Sequence, residues 1–214
     1  MSIKNISEIR EDFKESKIDF SNISDHPIKM FNDWFEMALE SDKDNAISFV
    51  LSTLSSEKIP SSRVVLLRAI DENGFTFFTN YESAKSKDIE LNNMVSANFF
   101  WEKLEKQVRI TGNAIKISSA DSDKYFSSRP RDSQLGAWSS SQSSIIDIYY
   151  NLMSKMDEFK EMFKGKEVER PLHWGGYCIE PEKVEFWQGR PSRLHDRLLF
   201  TKEKTIWKKE RLAP

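Results

Sequence analysis

The sequence predicts a mainly β protein: an antiparallel barrel with helices packed outside it. Short alternating apolar segments follow one another in meander order. Tight-turn signals separate them, the strongest being Asp71-Glu72-Asn73-Gly74. Few helical stretches fall between strands, so βαβ crossovers are scarce. Neither Gly-x-Gly-x-x-Gly nor Gly-x-x-x-x-Gly-Lys occurs, so a Rossmann or P-loop layout does not fit. Any phosphate site must then be built from side chains.

Residues 1–24 are polar and mixed in charge, and read as a mobile arm with a short helix at 6–14. Asp25-His26-Pro27 offers a cap and a first-turn proline. Ile28, Phe31, Trp34, Phe35, Ala38 and Leu39 then recur at helical spacing, predicting an amphipathic helix over 27–41. Strands are expected at 46–54, 61–70 and 75–79, a polar helix at 83–93, and strands at 95–101 and 107–117. Thr111-Gly112 in the last of these is a candidate bulge. Helices follow at 119–128 and 144–163, the second ending at Gly165. Two strands, 174–179 and 184–187, flank a Glu180-Pro181-Glu182 turn, and 198–200 with 205–208 form a closing hairpin.

Composition narrows the function. The chain has 214 residues and a net charge of −2, which gives no general attraction to nucleic acid or an anionic membrane. No apolar run reaches membrane-spanning length, and the first residues lack a signal peptide's apolar stretch. Cys178 is the single cysteine, which excludes an internal disulfide and points to a reducing cytoplasm. One Cys and three scattered His (His26, His173, His195) do not form a zinc set, so no metal is expected. No Gly-x-Ser-x-Gly elbow supports a Ser-His-Asp hydrolase. His173 reads as a structural histidine at a strand start.

Three basic segments remain. Residues 186–197 hold Arg190, Arg193, Arg197, His195 and Trp187. A solvated basic loop accounts for such a run; so does a site for an anionic small molecule, with arginine forks for the anion and histidine for proton transfer. On one strand face, Arg193, His195 and Arg197 would repel one another without an anion among them. The second segment, 125–138, mixes Tyr125, Arg129, Ser133 and Gln134 around Pro130 and Gly136. In the third, Arg63 and Arg68 bracket Val64-Val65-Leu66-Leu67, which reads as a buried strand without a local acid partner. Trp101, Trp138 and Trp187 fit core packing or an aromatic wall, and Gln107 and Gln142 suit the edge of a heteroaromatic ring.

Taken in order, several motifs resemble the pyridoxamine/pyridoxine 5′-phosphate oxidase family of FMN enzymes. They are Arg63-Val64-Val65-Leu66-Leu67, Phe77-Phe78-Thr79-Asn80, Leu104-Glu105-Lys106-Gln107-Val108, Ser128-Arg129-Pro130-Arg131-Asp132-Ser133-Gln134, Phe186-Trp187-Gln188-Gly189, Arg193-Leu194-His195-Asp196-Arg197 and Arg211-Leu212-Ala213-Pro214. The resemblance covers nearly the whole chain. It implies a Greek-key split β-barrel over 25–214, dimerising through its C-terminal region, with FMN in the subunit interface. It implies FMN contacts from Arg63, Val64, Val65, Leu66, Leu67, Arg68, Phe78, Thr79, Lys85, Gln107, Gln142, Ser143, Trp187 and Arg197. Substrate would be held by Arg10 of the arm and by Arg68, Tyr125, Arg129, Ser133, Arg193, Leu194 and His195, with Arg193 and His195 over the reacting ring. The implied reaction oxidises pyridoxine or pyridoxamine 5′-phosphate to pyridoxal 5′-phosphate, with O2 as acceptor and H2O2 as by-product. Three positions depart from the family pattern: Arg68 replaces a usual Lys, Ala84 a frequent Arg, and Phe13 a Tyr of the arm. A split-barrel flavin reductase fed by a nicotinamide cofactor and a non-catalytic carrier of flavin or pyridoxal phosphate are the competing readings.

Overall fold

A computed structural model describes residues 12–13 and 17–214. The helix expected at 6–14 and the position of Arg10 lie outside the described residues. Nine strands form one mostly antiparallel sheet: β1 (Ser48–Leu54), β2 (Pro60–Leu66), β3 (Ala69–Ile70), β4 (Phe75–Asn80), β5 (Met94–Trp101), β6 (Lys106–Lys116), β7 (Trp174–Gln188), β8 (Asp196–Glu203) and β9 (Ile206–Leu212). The sheet order is β2-β1-β5-β6-β7-β4-β3, with β8 paired to β7 and to β9. Among the described residues six α-helices accompany it: α1 (Pro27–Ser41), α2 (Lys43–Ala46), α3 (Ala84–Leu91), α4 (Ser119–Ser127), α5 (Arg131–Ser139) and α6 (Leu152–Met162). Among the described residues no helix is long and apolar enough to cross a membrane.

The chain divides into two compact units. One comprises the residues up to 46, 98–110 and 182–214. In it, Pro27 starts α1 and the His26 Nδ1 accepts the Ile28 N–H at 3.3 Å, filling a donor that the helix start leaves open. The buried face of α1 presents Ile28, Phe31, Trp34 and Ala38, as its periodicity predicts. Phe31 packs against Phe99 and Trp101, and Trp34 against Phe186, in edge or tilted contacts. The other unit comprises 47–97 and 111–181. Phe49, Phe77 and Tyr177 pack together within it, and Phe126, Leu135, Val168 and Trp174 form a second apolar cluster around α4, α5 and α6.

Four expectations need correction. The turn at 180–182 is absent: β7 runs unbroken from Trp174 to Gln188. Its ladder with β4 ends at Phe75↔Ile179 and that with β8 begins at Lys183↔Thr201. Pro181 stands where neither ladder asks for its missing N–H. The helix expected over 144–163 occupies only Leu152–Met162, capped by the Asn151 side chain; residues 144–151 are exposed and non-helical. The strand expected over 61–70 is two strands, parted where the N–H of Leu67 turns to Ile47 and that of Arg68 to Thr76. The run Val64 to Leu66 is not buried: β2 is an edge strand, and Val64 is 64% exposed. Apolar character indicated burial, but side-chain burial depends on what packs on the face of the sheet.

Candidate functional site

The unit of 47–97 and 111–181 contains a cavity of about 660 Å³. β2 supplies Arg63, Val64, Val65 and Leu66 to its wall, with Arg68 just beyond; β4 supplies Phe78 and Thr79. Lys85 projects from the first turn of α3, Tyr125 and Arg129 come from α4 and the loop after it, and Gln142 and Ser143 from the loop after α5. Four cations thus line the cavity, and no Asp or Glu does.

Each of the three more buried cations is held by neutral groups. The Lys85 ammonium donates to Thr79 Oγ1 and Ser83 Oγ, both at 3.0 Å, and to Gln142 Oε1 at 2.8 Å. Burial, and then the charge of Arg63, push it down to about 8. Arg63 donates to the Leu51 carbonyl (3.1 Å), Thr53 Oγ1 (2.8 Å) and Ser61 Oγ (2.8 Å). The Thr53 hydroxyl in turn donates to Asp88 at 2.6 Å, so the nearest acid acts on Arg63 through a neutral relay. Arg129 stacks 4.5 Å above the Trp174 ring, a cation–π contact, and its Nη1 is buried without a hydrogen-bond partner. Burial lowers its pKa too, yet a guanidinium stays charged. A flat aromatic wall lies beside it: Phe78 and Tyr125 stack at 3.9 Å and 13°, and Phe78 and Trp174 at 5.4 Å and 10°.

A buried cation without a partner is costly unless an anion completes it. The orphaned Arg129 Nη1 and the acid-free wall therefore fit phosphate-bearing ligands, FMN and a phosphorylated substrate among them. Gln142 and Thr79 add polar edges. Ser143 holds a left-handed backbone, with φ of 70°, which for a non-glycine residue is uncommon and concentrates at functional sites.

The other unit gathers the remaining candidates. The His195 imidazole lies 4.7 Å from the Trp187 ring, and Phe13 meets both rings edge-on, at 5.6 Å from Trp187 and 5.2 Å from His195. His195 Nδ1 accepts the Arg190 N–H at 3.2 Å, which puts the proton of the neutral ring on Nε2. Burial, and then the Arg193 charge, hold its pKa below the usual value. Gln107 is half-buried and follows Lys106, a buried lysine bonded to Gln188 and lying 4.3 Å over the Trp34 ring. Leu194 is exposed.

The single-face strand expected for Arg193, His195 and Arg197 is not formed. Pro191–Arg193 is a 3₁₀ turn, with Ser192 and Arg193 at φ of 57° and 60°, and β8 starts only at Asp196. The charge of Arg197 is met by an acid, while the Arg193 charge still acts on His195. Arg197 Nε donates to Glu185 at 2.8 Å, with Arg109 3.6 Å from the same carboxylate, and Asp196 faces Arg190 and Arg211. Two candidates of the unit of 47–97 and 111–181 also stand apart from its cavity: Leu67 is buried in the core, and Ser133 is exposed in the first turn of α5. Sequence reasoning missed Trp174, the platform under Arg129, and Asn80, which lines the same cavity. Their pairing in the β4–β7 register, Asn80↔Trp174, is invisible without the sheet.

A family model described as pyridoxamine 5′-phosphate oxidase matches residues 37–161. This chain belongs to the pyridoxamine 5′-phosphate oxidase family. A second model, the pyridoxine 5′-phosphate oxidase C-terminal dimerisation region, matches 174–214, the segment carrying His195 and the paired arginines. Pyridoxine/pyridoxamine 5′-phosphate oxidase of Crocosphaera subtropica is 45% identical over 212 residues, covering 98% of this chain and 99% of that protein. The Cyanothece sp. protein of the same name is 43% identical over 209 residues, covering 98% of both. Among solved structures, PhzG from Burkholderia lata 383, in complex with tetrahydrophenazine-1-carboxylic acid, aligns at a TM-score of 0.88 with 25% identity, over 95% of this chain and 100% of that one. An FMN-binding, pyridoxamine 5′-phosphate oxidase-related protein from Nostoc punctiforme aligns at 0.72 with 16% identity, over 90% and 100%, and speaks for the fold. The fold is the family's antiparallel split barrel with helices, as the sequence predicts.

Proposed function

We propose that this protein is an FMN-dependent oxidase converting pyridoxine 5′-phosphate and pyridoxamine 5′-phosphate to pyridoxal 5′-phosphate, with O2 as electron acceptor and H2O2 as by-product; the amine substrate also consumes water and releases ammonia. It works in the cytoplasm as a homodimer with FMN in the subunit interface, and Arg10, outside the described residues, contributes to substrate binding. The observation that carries this reading is the cavity with four cations, no acid and an orphaned Arg129 nitrogen.

Bound FMN would supply the two-electron acceptor for oxidation at substrate C4′, chemistry the side chains themselves lack. The residues supply binding and orientation. Arg63 and Lys85, with Thr79, Gln142 and Ser143, hold the FMN phosphate side and its polar edges. Arg129 and Tyr125 hold the substrate phosphate, with Arg68 between the two anions, and a fixed phosphate fixes the reacting carbon. Trp187, Gln107 and Arg197 contact the flavin. Arg193 orients the substrate ring and offsets developing charge; its own pKa is too high for proton transfer. His195, neutral near pH 7 and protonated at Nε2, offers a hydrogen-bond donor to the substrate.

The PhzG likeness favours a second reading, in which a ring carboxylate rather than a phosphate occupies the cationic cavity. Anaerobic titration of the FMN-loaded protein with pyridoxine 5′-phosphate separates the two. Bleaching of the flavin absorbance, reversed by air, is the expected result. A flavin that stays oxidised with this substrate, but bleaches with tetrahydrophenazine-1-carboxylic acid or a nicotinamide donor, would replace the reading.

A further inference from the structure

Asp196 follows His195 in sequence, and its side chain is nearly all buried, with the residue 6% exposed. Its Oδ1 accepts from Arg211 Nη2 at 3.0 Å. Its Oδ2 accepts the Ile18 N–H at 3.3 Å and lies 3.6 Å from Arg190 Nε. One carboxylate therefore joins three stretches of chain: the segment before α1, the turn between β7 and β8, and the last strand.

Two of those stretches bear directly on the imidazole of His195. Arg190, whose side chain faces Asp196, donates its own backbone N–H to His195 Nδ1. Phe13, five residues before the anchored Ile18, sets its ring edge-on against His195 and Trp187. Phe13 also packs on Gly189, where a Cβ would run into its ring. The third stretch braces the first, since the Arg211 guanidinium lies 4.3 Å over the Phe20 ring. These contacts share one buried carboxylate, so its removal takes away an anchor common to all three stretches.

We propose that Asp196 is a positioning residue: it sets the orientation and the tautomer of His195 by fixing Arg190, whose N–H meets the imidazole. With Nδ1 occupied as an acceptor, Nε2–H is the donor the neutral ring can offer a ligand. The kinetic consequence rests on the oxidase reading above; the structural claim does not.

The test is ¹⁵N NMR of the imidazoles in the FMN-loaded protein, with His195→Gln identifying the signal among the three histidines, alongside steady-state kinetics on pyridoxine 5′-phosphate. The wild-type protein is expected to show His195 protonated at Nε2 alone. Asp196→Asn keeps the size and one acceptor oxygen but removes the charge. It is expected to mix the two tautomers and lower kcat roughly tenfold or more, the cost of a small misplacement at a reacting centre, while FMN content is kept. If Asp196→Asn fails to fold, Arg190→Met, which leaves the Arg211 and Ile18 contacts in place, is read instead with the same expectation. A wild-type tautomer in the folded variant, whatever its kcat, overturns the proposal. Mixed tautomers in a variant of a protein that shows no oxidase activity would sink the oxidase reading and leave the role of Asp196 standing.

Discussion

Two arginine-rich regions of this protein look alike in sequence and differ in how their charges are met. Around the cavity, Arg63, Lys85 and Arg129 are held by hydroxyls, amides, carbonyls and aromatic faces. Around His195, Arg190, Arg197 and Arg211 are met by the buried carboxylates of Glu185 and Asp196. Neutral partners position a cation without cancelling its charge, so the first region keeps its positive field for a ligand. Carboxylates cancel the charge, so the second spends it on the fold and on orientation. The count of arginines does not tell a binding site from a brace; the partners do.

The largest effect expected from this contrast is at Arg193, which stands among the paired arginines but on a strained turn. Arg193→Ala is predicted to lower turnover about a hundredfold, the scale of a lost orienting contact, with FMN content nearly unchanged. Equal loss of turnover and flavin, measured by absorbance after gel filtration, would remove Arg193 from the substrate. Next comes Arg129→Ala. Loss of a charge-assisted hydrogen bond, about 1.5–3 kcal/mol, predicts a KM for the phosphorylated substrate raised by roughly ten- to a hundredfold. The urea midpoint of the ligand-free protein should change little, because loss of the stacking on Trp174 is offset by removal of a buried nitrogen without a hydrogen-bond partner. An unchanged KM would take Arg129 off the substrate phosphate.

Glu185→Ala makes the opposite prediction. It strands Arg197 and should destabilise the fold by about 2 kcal/mol, less than for a fully buried pair because both arginines keep some solvent. Urea unfolding reads this directly, and a stability equal to wild type would erase the distinction between the two regions. The smallest effect is a pH slope. Lys85 titrates at about 8 in the fold, against 10.5 as its ordinary value. Between these values the unfolded chain binds more protons, so the stability of the ligand-free protein should rise with pH through that window. The penalty of the buried ammonium is fully present below about pH 8. FMN binding should weaken over the same window as the cation is lost. Lys106, also pushed down to about 8 by burial, adds to the stability slope. Lys85→Met should therefore remove part of that slope and most of the pH dependence of FMN affinity; a wild-type pH profile of affinity would contradict the assignment.

Much of the fold was legible because its signals are local. The spacing of Ile28, Phe31, Trp34 and Ala38 gives α1, and Asn73-Gly74 gives the β3–β4 turn, because helix periodicity and turn chemistry act over a few residues. The errors came where a distant neighbour decides. Pro181 looks like a turn signal, yet it lies in a continuous strand because β4 and β8 take separate halves of β7. Val64 looks like core and is exposed, since side-chain burial depends on what packs on the face of the sheet.

The candidate site divides the same way. The sequence by itself determined which side chains are available: arginines and a lysine in place of a phosphate loop, one histidine among arginines, and no metal set. It also determined the family, through motifs kept in order along the chain. Only the tertiary structure decided which cations remain unpaired. It placed Trp174 under Arg129, set Thr53 between Arg63 and Asp88, and brought Ile18, Arg190 and Arg211 to Asp196. The physical reason is range. Helix and turn preferences are settled between residues a few positions apart. The energy of a buried charge depends on every group within a few ångströms, and those groups come from anywhere in the chain.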